Sequence, residues 1–168
     1  MNSAPARVVA VLYTGPALRS GQVAIGAAPA TAIRAAPCDG DVEADRDEWL
    51  AAGETRADCT YFAVFSLDRL VGHIFLHDRD DGRGETLIGY HLFRGVDRGR
   101  GTGTAALGLL RDWTLQHTSL ERLVVITAET NLASRRAAEK AGFRFVGRPH
   151  EDPVGGRVYE LRRNHAVD

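Results

Sequence analysis

Apolar positions change period along this chain, and the changes mark its elements. Residues 60–78, TYFAVFSLDRLVGHIFLHD, and residues 85–93, ETLIGYHLF, carry the alternation and β-branched or aromatic content of strands. The first stretch bends at Leu67, Asp68 and Arg69, and the intervening RDDGRG reads as a hairpin connection. Ala106, Leu109, Leu110 and Trp113 then recur at helical spacing, with Thr102 or Thr104 as the expected cap. Residues 122–128, RLVVITA, are continuously apolar, which predicts a strand buried on both faces beside a parallel partner. A second helix is expected over 132–141, ended by Gly142, and FRFVGR and GRVYELRR alternate around a turn containing Pro153, Gly155 and Gly156. Residues 1–55 are rich in Ala, Gly and Pro and pattern more weakly: a strand at 7–13, another around 22–34, and an acidic helix at 42–52.

Composition removes several function classes. With 168 residues, 44% of them hydrophobic, the chain predicts one domain with a proper core. Its 21 basic and 22 acidic side chains leave a net charge of -1, so no global field gathers nucleic acid or an anionic membrane, and any anion site must be local. Apolar runs near the start are too short for a signal-peptide core or a membrane span, so a cytoplasmic location is expected. Cys38 and Cys59 form no CxxC pair and read as reduced thiols. His73 and His77 are separated by about 13 Å along a strand, too far to share one ion, so both read as structural and no metal is expected.

Chemistry concentrates in DRGRGTG, residues 97–103, between a strand and a helix. Unpaired backbone N–H groups and the positive end of a helix dipole converge at such a turn and make it an anion cradle. A nucleoside-triphosphate loop is excluded, because it needs Gly-Lys-Ser/Thr and no lysine precedes Lys140. A dinucleotide fingerprint fails too: from Gly99 the run is Gly99, Gly101, Thr104, and Glu121 opens the following strand instead of closing it.

Arg98, Gly99, Arg100, Gly101, Thr102 and Gly103 match the R/Q-x-x-G-x-G/A pyrophosphate loop of the GNAT N-acetyltransferase superfamily. IGYHLF before the loop and NLASRRAAEKAGF after the next strand resemble the RimJ/RimL-like branch. This resemblance, which covers about residues 60–159, implies an α/β (α+β) fold: a mixed, mostly antiparallel sheet splayed between its fourth and fifth strands and flanked by helices. It implies one acyltransferase domain over 1–168, with 1–55 as a divergent acceptor-side region and 60–159 as the acyl-CoA-binding core. The two splayed strands are those at 85–93 and 122–128, with a bulge expected near residues 94–96. Acetyl-CoA is the implied cosubstrate. Backbone groups near Leu92 and Phe93 would meet its pantetheine arm, and N–H groups from Arg98 to Thr104 its pyrophosphate, with Arg98 or Arg100 adding charge. Asn131 and Ser134 fall where family members approach the pantetheine and the acetyl sulfur. Arg135, Arg136 and Lys140 either suit a remaining phosphate or form a solvated helix face.

The resemblance implies direct attack of an amine on the thioester, without a covalent enzyme intermediate. Many members protonate the leaving thiolate with a tyrosine seven residues after the asparagine, but that position is Ala138. Ser134 is therefore the expected proton donor, against a plain role in the first helical turn. A backbone N–H near Leu92 to Arg94 is expected to receive the oxyanion. Glu151 leads as general base, with His150 beside it and His91 as the other contender. Thr104-Ala105-Ala106 replaces the Thr-Glu-Ala common in relatives, and no T-x-R-L-x-L-R-P opening is present. The acceptor is thus either a small amine or a peptide or protein N-terminus, and Asp78, Asp80 and Asp81 could attract a cationic one or be simply solvated. A catalytically degenerate acyl-CoA-binding module and a transferase of longer acyl groups stay open beside this reading, as does a homodimer.

Overall fold

Period-two alternation assigns each central strand residue to one of two faces, and each face carries its own core. The structure, a computed structural model, describes residues 11–150 and 155–164. Its strands are β1 (Val11–Leu12), β2 (Leu18–Ser20), β3 (Val23–Gly26), β4 (Thr60–Ser66), β5 (Arg69–Asp80), β6 (Glu85–Leu92), β7 (Arg122–Ala128), β8 (Arg144–Gly147) and β9 (Gly156–Arg162). The helices are α1 (Ala30–Ala35), α2 (Gly40–Thr55), α3 (Thr102–His117) and α4 (Leu132–Lys140). Phe62, Val64, Ile74, Leu76 and Ile88 pack with Ala106, Leu107 and Leu110 of α3. On the opposite face, Tyr61, Phe75 and Phe93 pack with Val42 and Leu50 of α2, and Trp49 stacks on Phe75 at 4.4 Å.

The strands form one sheet in the order β2-β3-β4-β5-β6-β7-β9-β8, with β1 also on β4. Among the described residues only β1 with β4 and β6 with β7 are parallel. The β6–β7 pairing is short: Glu85, Thr86 and Leu87 face Arg122, Leu123 and Val124, and the strands then part. These are the two strands expected to splay. They are the sixth and seventh here because β2 is an added strand and residues 60–78 form two strands, β4 and β5.

No bulge at 94–96 causes the parting. After β6 the chain enters a 3-10 turn, Gly95–Asp97, and the strand end is drawn towards α2 instead. Phe93 donates its N–H to the Val71 carbonyl at 2.9 Å and accepts the Asp39 N–H at 2.8 Å, while Gly95 donates to Asp39 Oδ2 at 2.7 Å. The irregular register of the β5–β6 hairpin lies at its other end, between His77 and Asp80.

Four other local expectations change. The strand expected around 22–34 is β3 followed by α1, because Pro29 at the helix N-cap fixes φ near −61° and Ile33 is buried. β2, paired with β3 around Gly21, is an additional strand. Of the strand expected at 7–13, Val11–Leu12 is seen and residues 7–10 lie outside the described residues. Strand β7 is buried on both faces only at Leu123, Val124 and Val125; Ile126 is 46% exposed, where β6 has left it. No described helix is long and apolar enough to cross a membrane.

Candidate active site

The turn between β6 and α3 takes its shape from two glycines. Gly99 has φ of +74° and Gly101 +80°, left-handed conformations that strain other residues. Gly101 itself is the N-cap of α3, not Thr102 or Thr104, and no side chain caps this helix. Thr102 is the first helical residue and is buried. The first bond of the helix runs from the Ala105 N–H to the Gly101 carbonyl at 3.0 Å, which leaves the N–H groups of Thr102, Gly103 and Thr104 without helical partners.

These N–H groups open onto a groove of about 490 Å³ between the parted strands and the N-terminal ends of α3 and α4. Arg98, Gly99, Gly101, Thr102, Gly103 and Thr104 line it from the turn, and Asn131, Ser134, Arg136 and Lys140 from α4 and its cap. Tyr90, His91 and Leu92 form the β6 wall. Arg100 is exposed and is not among the lining residues. Arg135 turns away, donating to the Tyr159 hydroxyl at 3.2 Å and the Glu129 carbonyl at 3.0 Å, so only Arg136 and Lys140 add charge from α4.

Leu92 and Phe93 separate. Backbone groups alternate sides along an antiparallel strand, and those of Phe93 are bonded to Val71 and Asp39. Phe93 is therefore corrected: its peptide groups are not available to a ligand or an oxyanion. Those of Tyr90 and Leu92 face the parted edge, where the Leu92 carbonyl accepts from Arg98 at 3.3 Å.

On one face of β6, Asn131 caps α4 by accepting the Ser134 N–H at 3.1 Å, and the Tyr90 hydroxyl donates to Ser134 Oγ at 3.0 Å. Burial raises the Tyr90 pKa, partly offset by that bond, and keeps the phenol protonated. A Ser134 hydroxyl that already accepts is free to aim its own proton into the groove. Position 138 is an alanine, and the phenol beside Ser134 is that of Tyr90, 44 residues before the serine.

On the other face, His91 Nδ1 lies 2.9 Å from His73 Nε2, and His73 Nδ1 lies 2.6 Å from the Tyr61 hydroxyl. His91 Nε2 is 4.0 Å from Asp45 Oδ2 of α2. Burial lowers the His91 pKa; Asp45 opposes this and Arg98 adds to it. Burial, then His91 and Arg46, hold His73 well below the ordinary histidine range. His73, which the sequence marks as structural, is fully buried and lies within hydrogen-bond distance of the candidate residue His91. Residues 73 and 91 become partners only once the hairpin register is known.

Glu151 lies outside the described residues, and His150 is exposed. The acidic side chains of this loop have partners: Asp78 pairs with Arg56 at 3.1 Å, Asp81 with Arg79 at 2.8 Å, and Asp80 accepts the backbone N–H of Arg83 at 3.0 Å. Cys59 is buried, which pushes its thiol up to about 11, and Cys38 is partly buried; neither lines the groove.

Comparison with known proteins places this geometry. The family description "acetyltransferase (GNAT) domain" matches residues 24–144. A probable N-acetyltransferase of Bacillus subtilis (strain 168), YjcK, is 34% identical over 90 residues, 52% of this chain and 49% of that protein. The match thus spans about half the length of this curated relative. Among solved structures, the ribosomal-protein alpha-N-acetyltransferase RimL in complex with coenzyme A is similar with a TM-score of 0.69 and 14% identity, covering 88% of this chain and 98% of that one. The microcin self-immunity acetyltransferase MccE in complex with acetyl-CoA and AMP gives 0.66 and 13%, covering 86% and 94%. An acetyltransferase from Agrobacterium tumefaciens str. C58 gives 0.68 and 20%, covering 91% and 98%. At these identities the solved structures establish the fold.

Proposed function

As the chain belongs to the GNAT acetyltransferase family, we propose that it is an acetyl-CoA-dependent N-acetyltransferase acting by direct attack of an amine on the thioester. The observation that carries this reading is the groove itself. A glycine turn with three helix N–H groups forms one end, and the unpaired edge of β6 forms its wall.

In this reading the Arg98–Thr104 turn takes the pyrophosphate, through the N–H groups of Gly99 and Gly101 to Thr104 and the charges of Arg98, Arg136 and Lys140. Arg100, outside the groove lining, contributes charge from the rim. The Leu92 peptide group pairs with the pantetheine arm as an added strand would, and Asn131 sets the start of α4 so that Ser134 reaches the sulfur. Ser134 gives its proton to the departing thiolate as Oγ takes the phenolic proton of Tyr90, which solvent then restores. Glu151 is assigned the general base. Residues 1–55 bring α1 and α2 to the other face of β6, the acceptor side, while residues 60–159 hold the acyl donor. The acceptor is a small amine or a peptide N-terminus. A merely acyl-CoA-binding module would share this groove, and thiol release separates the two.

Titration calorimetry with acetyl-CoA, and NADH as comparison ligand, tests the first step. Micromolar binding of acetyl-CoA alone supports the reading, and thiol release with an amine panel then follows turnover. Absence of acetyl-CoA binding would reduce the glycine turn to a helix-opening device and end the enzyme reading.

A further inference from the structure

Three aromatic polar side chains form a continuous chain of hydrogen bonds through the sheet on the acceptor face: Tyr61 of β4, His73 of β5 and His91 of β6. Tyr61 and His73 are essentially inaccessible, and the phenol's pKa is raised strongly by burial, so it keeps its proton. A neutral imidazole has one N–H and one lone pair, so the direction of a single bond sets the direction of all that follow.

That direction has one satisfactory solution. Among the described residues, the Tyr61 hydroxyl has a single partner, His73 Nδ1. If the phenol donates, His73 carries its proton on Nε2, donates to His91 Nδ1, and leaves His91 with its proton on Nε2. In the reverse direction the buried phenolic hydrogen has no acceptor, a loss that disfavours this arrangement on the order of tenfold. Adding a proton to His91 meets the same obstacle, because His91 Nδ1 would then face the His73 Nε2 proton. The charged groups around His91 are Asp45 from α2 and Arg98 from the glycine turn; Arg46 of α2 acts on His73.

We propose that Tyr61 and His73 are positioning residues that fix His91 as its Nε2–H tautomer, so that His91 meets the acceptor as a hydrogen-bond donor beside Asp45 and not as a base. The word acceptor rests on the acetyltransferase reading; the tautomer does not. At 4.0 Å, His91 Nε2 and Asp45 Oδ2 are too far apart to satisfy each other, and both side chains are partly exposed, 32% and 56%. A donor and a carboxylate side by side suit an amine with a neighbouring carbonyl oxygen: the oxygen takes the His91 proton and the amine N–H meets Asp45. The base is left to another residue.

Long-range proton–nitrogen correlation on histidine-labelled protein at neutral pH, without ligand, reads the tautomers directly. Signals are assigned through His73→Gln and His91→Gln. The expected pattern is Nε2–H with unprotonated Nδ1 for both residues, and in Tyr61→Phe, where either direction leaves His73 Nδ1 unpaired, both residues move together towards a mixture of tautomers. A His91 Nδ1–H signal in the unaltered protein would overturn the proposal, and that spectrum decides even if Tyr61→Phe does not fold. A His91 pattern unmoved in a folded Tyr61→Phe would remove Tyr61 as its determinant and overturn it equally. A protein that shows the expected tautomers yet binds no acetyl-CoA would sink the activity and leave the relay standing.

Discussion

At the scale of single residues, the proposed function rests on pairs far apart in the chain. Ser134 was legible as a candidate through the superfamily resemblance, which implies a serine three residues after the asparagine, but the phenol bonded to it was not, since nothing in a linear pattern couples it to Tyr90. Ser134→Ala is expected to lower turnover by about a hundredfold, the low end of what a positioned acid contributes, with acetyl-CoA affinity nearly kept. Tyr90→Phe should show a smaller drop of the same kind. Thiol-release kinetics alongside calorimetry checks both, and full turnover in Ser134→Ala would return the serine to a first-turn role. His73 carries a different consequence, in stability. Its pKa is held below the ordinary value in the folded chain, so the unfolded state binds the extra proton more readily. The stability it contributes is present above the unfolded pKa of about 6.5 and is lost as pH falls from there towards the folded value. Melting temperature should therefore fall between pH 7 and pH 5 more steeply in the unaltered protein than in His73→Gln; equal slopes would contradict the burial argument.

Elements were readable where a local rule acts alone and misread where tertiary contacts decide. The bend expected within 60–78 at Leu67 and Asp68 is a full reversal between β4 and β5, and both residues adopt positive φ, +50° and +61°, as a tight turn between twisted strands demands. The end of α4 was likewise marked by Gly142 at φ +90°. In contrast, α1 is six residues long and depends on burying Ile33, which no periodic pattern announces. Likewise, β7 looked uniformly buried because its apolar run cannot reveal that its partner departs after Leu87. The start of α3 joins the two cases: the glycines foretold a helix-opening turn, and the cap was assigned to threonine because side-chain capping is the commoner device. A backbone N-cap at φ +80° leaves the helix's N–H groups to a ligand. Gly101→Val forces a branched residue into that conformation, and acetyl-CoA affinity should fall at least tenfold, with a stability loss of about 1–2 kcal/mol. Arg98→Ala should weaken binding by a smaller factor and reduce its salt dependence. Normal binding by either variant would move the pyrophosphate elsewhere.

At the scale of the whole molecule, the question is what keeps the sheet open. Two parallel strands with three paired residues each have ample length to continue, and the peptide groups of Tyr90 and Leu92 forgo that pairing. Two bonds to Asp39, just ahead of α2, hold β6 off that course: its N–H binds the Phe93 carbonyl and its carboxylate takes the Gly95 N–H. The groove is thereby tied to α2 on the other face of β6, through a residue that does not line it. The superfamily resemblance foretold the splay, but the tether links positions 39 and 95, and only the assembled fold places them together. Asp39→Ala keeps the backbone bond and removes the carboxylate, at a cost of about 1–3 kcal/mol for a charge-assisted bond. Hydrogen exchange should then quicken across residues 93–98, and acetyl-CoA affinity should weaken severalfold although Asp39 touches none of the groove-lining residues of α4. If exchange quickens while affinity holds, the splay is set by the sheet's own twist and the tether only trims a loop. If both change together, the width of the donor groove is set from the acceptor side of the molecule.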